Sequence, residues 1–164
     1  IIDHLLKIEN NIYYYWIGNV DKNFYKSNFH YEKLLKNKTT FSNRIKIISK
    51  LNKSKLYKFI NKAELIILPS IRDNSPNVCL ESLSLNKIVL ARKNSGYNDL
   101  IKNNYNGFLF NKNDDYSIPR HVKKILNLNS NTKSNIKKNI LIHNKKFASD
   151  KVISAYCKKI KKFI

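Results

Sequence analysis

The stretch Ile66 to Leu90, IILPSIRDNSPNVCLESLSLNKIVL, decides the fold. It opens inside a short apolar run, Leu65 to Leu68, which Pro69 and Ser70 stop. Arg72, Asp73, Asn74 and Ser75 follow, all polar and turn-prone. From Asn77 the pattern turns helical, and Lys87 leads into a second apolar run, Ile88 to Ala91. The order is strand, loop, helix, strand. Ser75 is the expected N-cap, its hydroxyl accepting from a free backbone N–H. Pro76 is the expected first helical residue, where no N–H is needed. In an open parallel sheet, ligands bind at loops that follow the carboxyl ends of strands. A helix N-terminus at such a loop offers free N–H groups and partial positive charge, which suits phosphate. Asp73 precedes the helix, and Glu81 lies inside it, eight residues on.

The same alternation extends outward in both directions. Upstream, Ile1 to Ile8 carries a helical stripe that begins without a cap. Ile12 to Gly18, aromatic and β-branched, reads as a buried strand ended by glycine. Tyr25 to Leu35 reads as a short helix and Arg44 to Ser49 as a strand. Asn52 or Ser54 can cap a helix to about Ala63, with Leu56, Phe59 and Ile60 at helical spacing. Glu64 to Leu68 is the strand before the central loop. Downstream, Gly96 marks a tight turn, Asn98 to Lys102 a short helix, Asn106–Gly107 a turn, and Phe108 to Phe110 a last short strand. Asp114 or Asp115 can cap a helix to about Leu128, with Pro119 in its first turn. Asn129 to Thr132 reads as a loop. From about Asn135 to Phe163 the chain is helix-prone and basic, with a break near Ser149–Asp150. Strands alternating with helices through short loops predict a parallel sheet with helices on both faces.

At 164 residues the chain has the size of one domain, residues 1–164, with a basic helical tail from about residue 130. Lys and Arg number 32 against 11 Asp and Glu, a formal net charge of +21. Such an excess points to an anionic partner: nucleic acid, anionic lipid or nucleotide. Lys, Asn, Ile, Tyr and Phe also share AT-rich codons, and the lysines are spread along the chain, so genome composition accounts for much of it. No aromatic RNA-binding motif, GXXG loop or zinc spacing supports a nucleic-acid binder. Cys79 and Cys157 form no motif, which makes a reducing compartment the default. The four histidines have no metal-ligand spacing. No run is long enough to span a membrane, and the start lacks the features of a signal peptide. The expected location is the cytoplasm, with a peripheral place at the inner membrane face in view. The chain contains no Met, which predicts a fragment.

The ordered set Pro69–Ser70, Asp73 and Glu81, IVLA at 88–91, Ser95–Gly96 with Asp99, and Asn106–Gly107 resembles the donor-binding half of glycosyltransferase family 4. The resemblance runs over about Ile12 to Phe110. It implies a Rossmann-like parallel sheet, the C-terminal half of a GT-B fold, and transfer of a sugar from a nucleotide-sugar with retention of configuration. Two departures stand out. The first acidic position is Asp73 rather than Glu, and Asn74, Ser75 and Pro76 replace the usual Gly-rich segment. The Arg and Lys with which such enzymes clamp the diphosphate belong to an opening strand and loop upstream of this chain's start. That strand normally lies near the middle of the sheet, so its loss predicts unpaired strand edges.

By resemblance, Asp73 faces the transferred sugar as the catalytic-site carboxylate. Asn74 and Ser75 line the donor, and Asn77 and Val78 give backbone N–H groups to the diphosphate, with the Val78 side chain expected in the core. Glu81 accepts from the ribose hydroxyls, and Lys50 and Leu51 take the base-binding position. Against these stand a solvated helix Glu paired with a lysine, a capping or turn Asp, and an ordinary helix start; Cys79 reads as core packing. No metal and no cofactor are expected beyond the UDP-, GDP- or ADP-linked donor. The expected acceptor is a glycan or lipid-linked saccharide, peripheral contact with an anionic membrane fits the charge, and nucleic acid is not an expected partner. The alternatives are a catalytically inactive transferase-like scaffold and a basic RNA-binding protein.

Overall fold

The computed structural model describes residues 6, 11–18, 43–70, 76–93, 95–111, 114 and 117–145. The helix expected at Tyr25 to Leu35, the helix at Ile1 to Ile8 apart from Leu6, and the tail beyond Lys145 lie outside them. So do Asp73, Asn74 and Ser75. The chain forms two compact units, Ile1–Phe59 and Ile60–Ile164.

In the first unit, β1 (Tyr14–Ile17) and β2 (Ile45–Ile48) pair in parallel, with Tyr14 opposite Ile45 and Ile17 opposite Ile48. The strand expected to be buried is only half-buried. Tyr15 is 42% exposed and rests its ring on Phe59 at 5.7 Å. Tyr13 is 63% exposed as well, and residues two apart share one face, so the exposure of the aromatic run falls on one side of the strand. Desolvation raises the Tyr14 phenol to about 12. Gly18 follows β1 at φ +149°, an angle side chains rarely adopt. Helix α1 (Lys53–Lys62) is capped by Asn52, whose Oδ1 accepts from the Lys55 N–H at 3.0 Å.

In the second unit, β3 (Leu65–Leu68), β4 (Ile88–Arg92) and β5 (Phe108–Phe110) form a parallel sheet in that order. All five expected strands are present, each parallel to the strand it pairs with. They form a two-stranded and a three-stranded ladder, where a single sheet had been expected. Among the described residues, only β4 is paired on both sides, and it alone is buried at every position. Between β3 and β4 lies α2 (Asn77–Ser84), which buries Cys79, Ser82 and Leu83. The Ser82 hydroxyl is satisfied by donating to the Val78 carbonyl at 2.6 Å. The helix ends in a Schellman turn: Asn86 takes φ +57°, its N–H donates to Leu83, and the Lys87 N–H donates to Ser82.

The starts of the three following helices also differ from expectation. Helix α3 spans Ser95–Leu100, three residues early, so Gly96 lies buried in its first turn instead of in a tight turn. Helix α4 (Ile118–Leu126) starts after Ser117, not after Asp114 or Asp115. The Asp114 carbonyl accepts from both the backbone N–H and the hydroxyl of Ser117, which delays the helix by one turn. Helix α5 (Ser130–Asn144) begins inside the expected loop, because the Asn129 side chain caps it by accepting from the Thr132 N–H at 2.8 Å. Lys133 then reaches back to the Leu126 carbonyl at the end of α4.

Candidate functional site

The carboxyl edge of the β3–β4–β5 sheet is where the sequence places the chemistry. β3 ends at Leu68, and α2 begins at Asn77. Pro76, not Ser75, is the N-cap, one position earlier than expected in the helix numbering. Its carbonyl accepts from the N–H groups of Cys79 and Leu80, at 3.0 and 3.1 Å, which closes the first turn. The N–H groups of Asn77 and Val78 therefore precede the helical ladder, as the ends of helices require. Both residues are exposed; Val78 is 43% so. That corrects the expectation of a core side chain at 78: Cys79 and Ser82 occupy the face of α2 that meets the core. An open helix start with two N–H groups ahead of the ladder can receive an anionic oxygen.

Glu81 lies in the second turn of α2 and is half-buried. Its helix contacts β4, α3 and α5. Asp73, Asn74 and Ser75 lie outside the described residues. Lys50 is exposed and Leu51 half-buried just before α1, in the first unit. Among the described residues, no three His, Cys, Asp or Glu side chains gather as metal ligands.

One residue at this edge escaped the sequence reading. Arg92, the last residue of β4, is only 5% exposed, and its Nε donates to the Pro69 carbonyl at 2.8 Å. The guanidinium also lies over the Phe110 ring, 5.2 Å from its centre. It thereby ties together the carboxyl ends of β3, β4 and β5. The signal in the sequence was an arginine closing an apolar strand, IVLAR, read there as a strand ending at Ala91.

The edge of β5 is built with similar care. Asn106 is fully buried, accepts from the Lys102 N–H at 2.7 Å and donates to the Leu100 carbonyl at 3.0 Å. A Cβ at Gly107 would lie 3.1 Å from both the Val89 carbonyl oxygen and an Ile101 methyl. The Asn-Gly pair thus lets the chain pass close against β4.

Residues 2–142 match the family model described as glycosyl transferases group 1. The chain belongs to the group 1 glycosyl transferases. Similar solved structures include HepE from Anabaena in complex with UDP, 17% identical, with a TM-score of 0.80 over 98% of this chain and 44% of that one. A glycosyltransferase from Rickettsia africae is 19% identical, with a TM-score of 0.78 over 98% of this chain and 42% of that one. Sucrose-phosphate synthase from Thermosynechococcus elongatus is 13% identical, with a TM-score of 0.76 over 98% and 40%. The chain therefore spans less than half the length of these structures. This group 1 glycosyl transferase chain has the Rossmann-like fold of a GT-B C-terminal domain. No curated protein matches the sequence.

Proposed function

We propose that this chain binds the nucleotide-sugar donor of a retaining, family 4-type glycosyltransferase. The observation that carries the reading is the α2 start, where Asn77 and Val78 present N–H groups at the carboxyl edge of a parallel sheet in a group 1 glycosyl transferase. HepE, which shares the fold, was solved with UDP and with UDP-glucose, and this supports a nucleotide-sugar ligand of the same class.

In this reading the diphosphate sits on the Asn77 and Val78 N–H groups, and Asn74 and Ser75 line the donor beside them. Glu81 accepts from the ribose hydroxyls, and Asp73 contacts the sugar near the reacting carbon. The difficult step is departure of the nucleoside diphosphate, which gathers negative charge as the glycosidic bond breaks. Fixed N–H dipoles aimed at the phosphates stabilise that charge as it grows. The sugar acquires oxocarbenium character, so a carboxylate against its hydroxyls binds the transition state more tightly than the ground state. Neither role requires a metal ion.

The test is calorimetric titration of UDP, GDP and ADP into the polypeptide as its gene encodes it, in wild-type and Glu81→Gln forms. One of the three is expected to bind and to bind more weakly to the variant. If no nucleotide binds, or if Glu81→Gln leaves affinity unchanged, the reading is wrong.

A further inference from the structure

We propose that Arg92 is a positioning residue for the nucleotide-sugar: it fixes where the chain leaves β3 and so sets the sugar end of the donor site, independently of the nucleotide end. The proposal rests on the nucleotide-sugar reading and adds to it a residue that acts through the backbone. The β3–β4 ladder runs to Leu68 opposite Ala91. The β4–β5 ladder runs one pair further, to Arg92 opposite Phe110, and the Lys93 N–H still donates to the Phe110 carbonyl at 2.8 Å. Pro69 therefore carries the first carbonyl past the end of the β3–β4 ladder, and the Arg92 Nε donates to it at 2.8 Å. Pro69 and Ser70 are exposed, whereas Arg92 and Phe110 are buried. The emerging chain is thus held from beneath. The side chain that holds it is itself placed by the Phe110 ring, 5.2 Å from the guanidinium.

Stability alone does not favour an arginine here. A buried guanidinium gives up its hydration, and an apolar side chain closing an apolar strand incurs no such cost. What a leucine cannot supply is an N–H donor aimed at the Pro69 carbonyl. The guanidinium is planar and rigid, so seating it over the ring also fixes the direction of that donor.

The place of this anchor separates the two ends of the proposed donor site. The Asn77 and Val78 N–H groups and Glu81 belong to α2. That helix is seated by its own buried residues, Cys79, Ser82 and Leu83, and its first turn is closed by the Pro76 carbonyl. Asp73, assigned to the sugar, stands four residues after Pro69 in a connection of six residues between Pro69 and Pro76. Losing the anchor releases the start of that connection while α2 keeps its seat. A misplacement of about 1 Å is enough to spoil a contact with the reacting end of a substrate.

The experiment is calorimetric titration of the polypeptide as its gene encodes it with UDP, GDP and ADP and with the glucose conjugate of each. Wild-type, Arg92→Met, Arg92→Lys and Asn129→Ala forms are compared, each first checked for native circular dichroism. Arg92→Met keeps an apolar stem and removes every N–H. It should weaken the conjugate by about tenfold while the bare nucleotide stays within about twofold. Arg92→Lys retains a charged donor without the planar fork and should fall between wild type and Arg92→Met. Asn129→Ala removes the α5 cap, lowers stability without touching Arg92 or Pro69, and should leave both affinities unchanged. If no nucleotide binds the wild-type chain, the donor reading fails and this proposal fails with it. If nucleotide binds, the proposal alone is overturned when Arg92→Met does not weaken the conjugate selectively, when Arg92→Lys is no better than Arg92→Met, or when Asn129→Ala reproduces the selective loss.

Discussion

Asn106 and Gly107 show how much one dipeptide can decide. Asn106 satisfies a backbone donor and a backbone acceptor where no water reaches, and Gly107 lets β5 close on β4. A methyl at 107 would press on the Val89 carbonyl, which cannot yield without moving the sheet. Gly107→Ala should therefore cost about 1–3 kcal/mol, read from urea melts; an unchanged midpoint would show that the contact is softer than the geometry implies. At the proposed donor site, Glu81→Gln keeps the shape and removes the charge. It should cost about 1–3 kcal/mol of nucleotide affinity, as for a charge-assisted hydrogen bond. Asp73→Asn should lower turnover with less effect on affinity, since its proposed contact is with the sugar. Parallel titrations and steady-state rates on both variants separate the two roles. By spacing alone Glu81 reads as a solvated helix residue; it was singled out, with Asp73, by the family resemblance of the ordered set around them. Arg92 was not, because a buried guanidinium becomes recognisable only once Pro69 and Phe110 are seen beside it.

At the level of elements, helix boundaries were the least legible feature, and the reason is the wealth of Asn, Ser and Asp in this chain. Each is a candidate cap, and only the fold picks one. α5 starts at Ser130 because Asn129 turns its side chain onto the Thr132 N–H. Asn129→Ala should lower stability by about 1 kcal/mol; thermal melts at equal concentration would show it, and no shift would rule out the cap. α4 carries a pH response. Its buried face is Ile118, Val122 and Ile125, and His121 lies half-buried beside it. Burial, then the neighbouring Arg120 and Lys124, hold the His121 pKa below its ordinary 6.5, against a smaller opposing pull from Asp114. With a depressed folded-state value, the unfolded chain binds the proton more readily. His121 thus contributes stability above pH 6.5 that is lost as pH falls through its folded-state value. His121→Gln should flatten that acid-side slope in melting temperature between neutral and mildly acidic pH. An identical slope in both proteins would exclude His121 as its source.

Across the whole molecule, composition alone does not explain burial. β4 is buried at every position, while β1, β2 and β3, also rich in apolar residues, are mostly half-buried. β5, at the end of its ladder, is nonetheless buried at Phe108 and Phe110, so what closes a strand off from water is the covering of the sheet faces to which its side chains point. The 164 residues also cover 44% of HepE and 42% of the Rickettsia enzyme. Transfer requires donor and acceptor to be held together in reacting geometry, a contribution worth roughly 7–11 kcal/mol of barrier. The chain on its own should therefore transfer no sugar when incubated with nucleotide-sugar and a panel of saccharide acceptors. Turnover at ordinary enzymatic rates would show that these residues suffice for both substrates.

Sequence alone determined the five parallel strands, each recognised within two residues, and the ordered Pro-Ser, Asp–Glu and Asn-Gly pieces between them. These depend on local patterns: apolar runs of strand length, bounded by residues that break them. Tertiary structure decided which neighbours each strand has, and which strands are buried. It decided that Pro76 caps α2 and leaves Val78 in water, that Arg92 goes inside, and that Leu141 and Ile142 stay out. Those outcomes depend on contacts between segments distant in sequence. A residue carries its own propensity along the chain, but its surroundings exist only once the chain has folded.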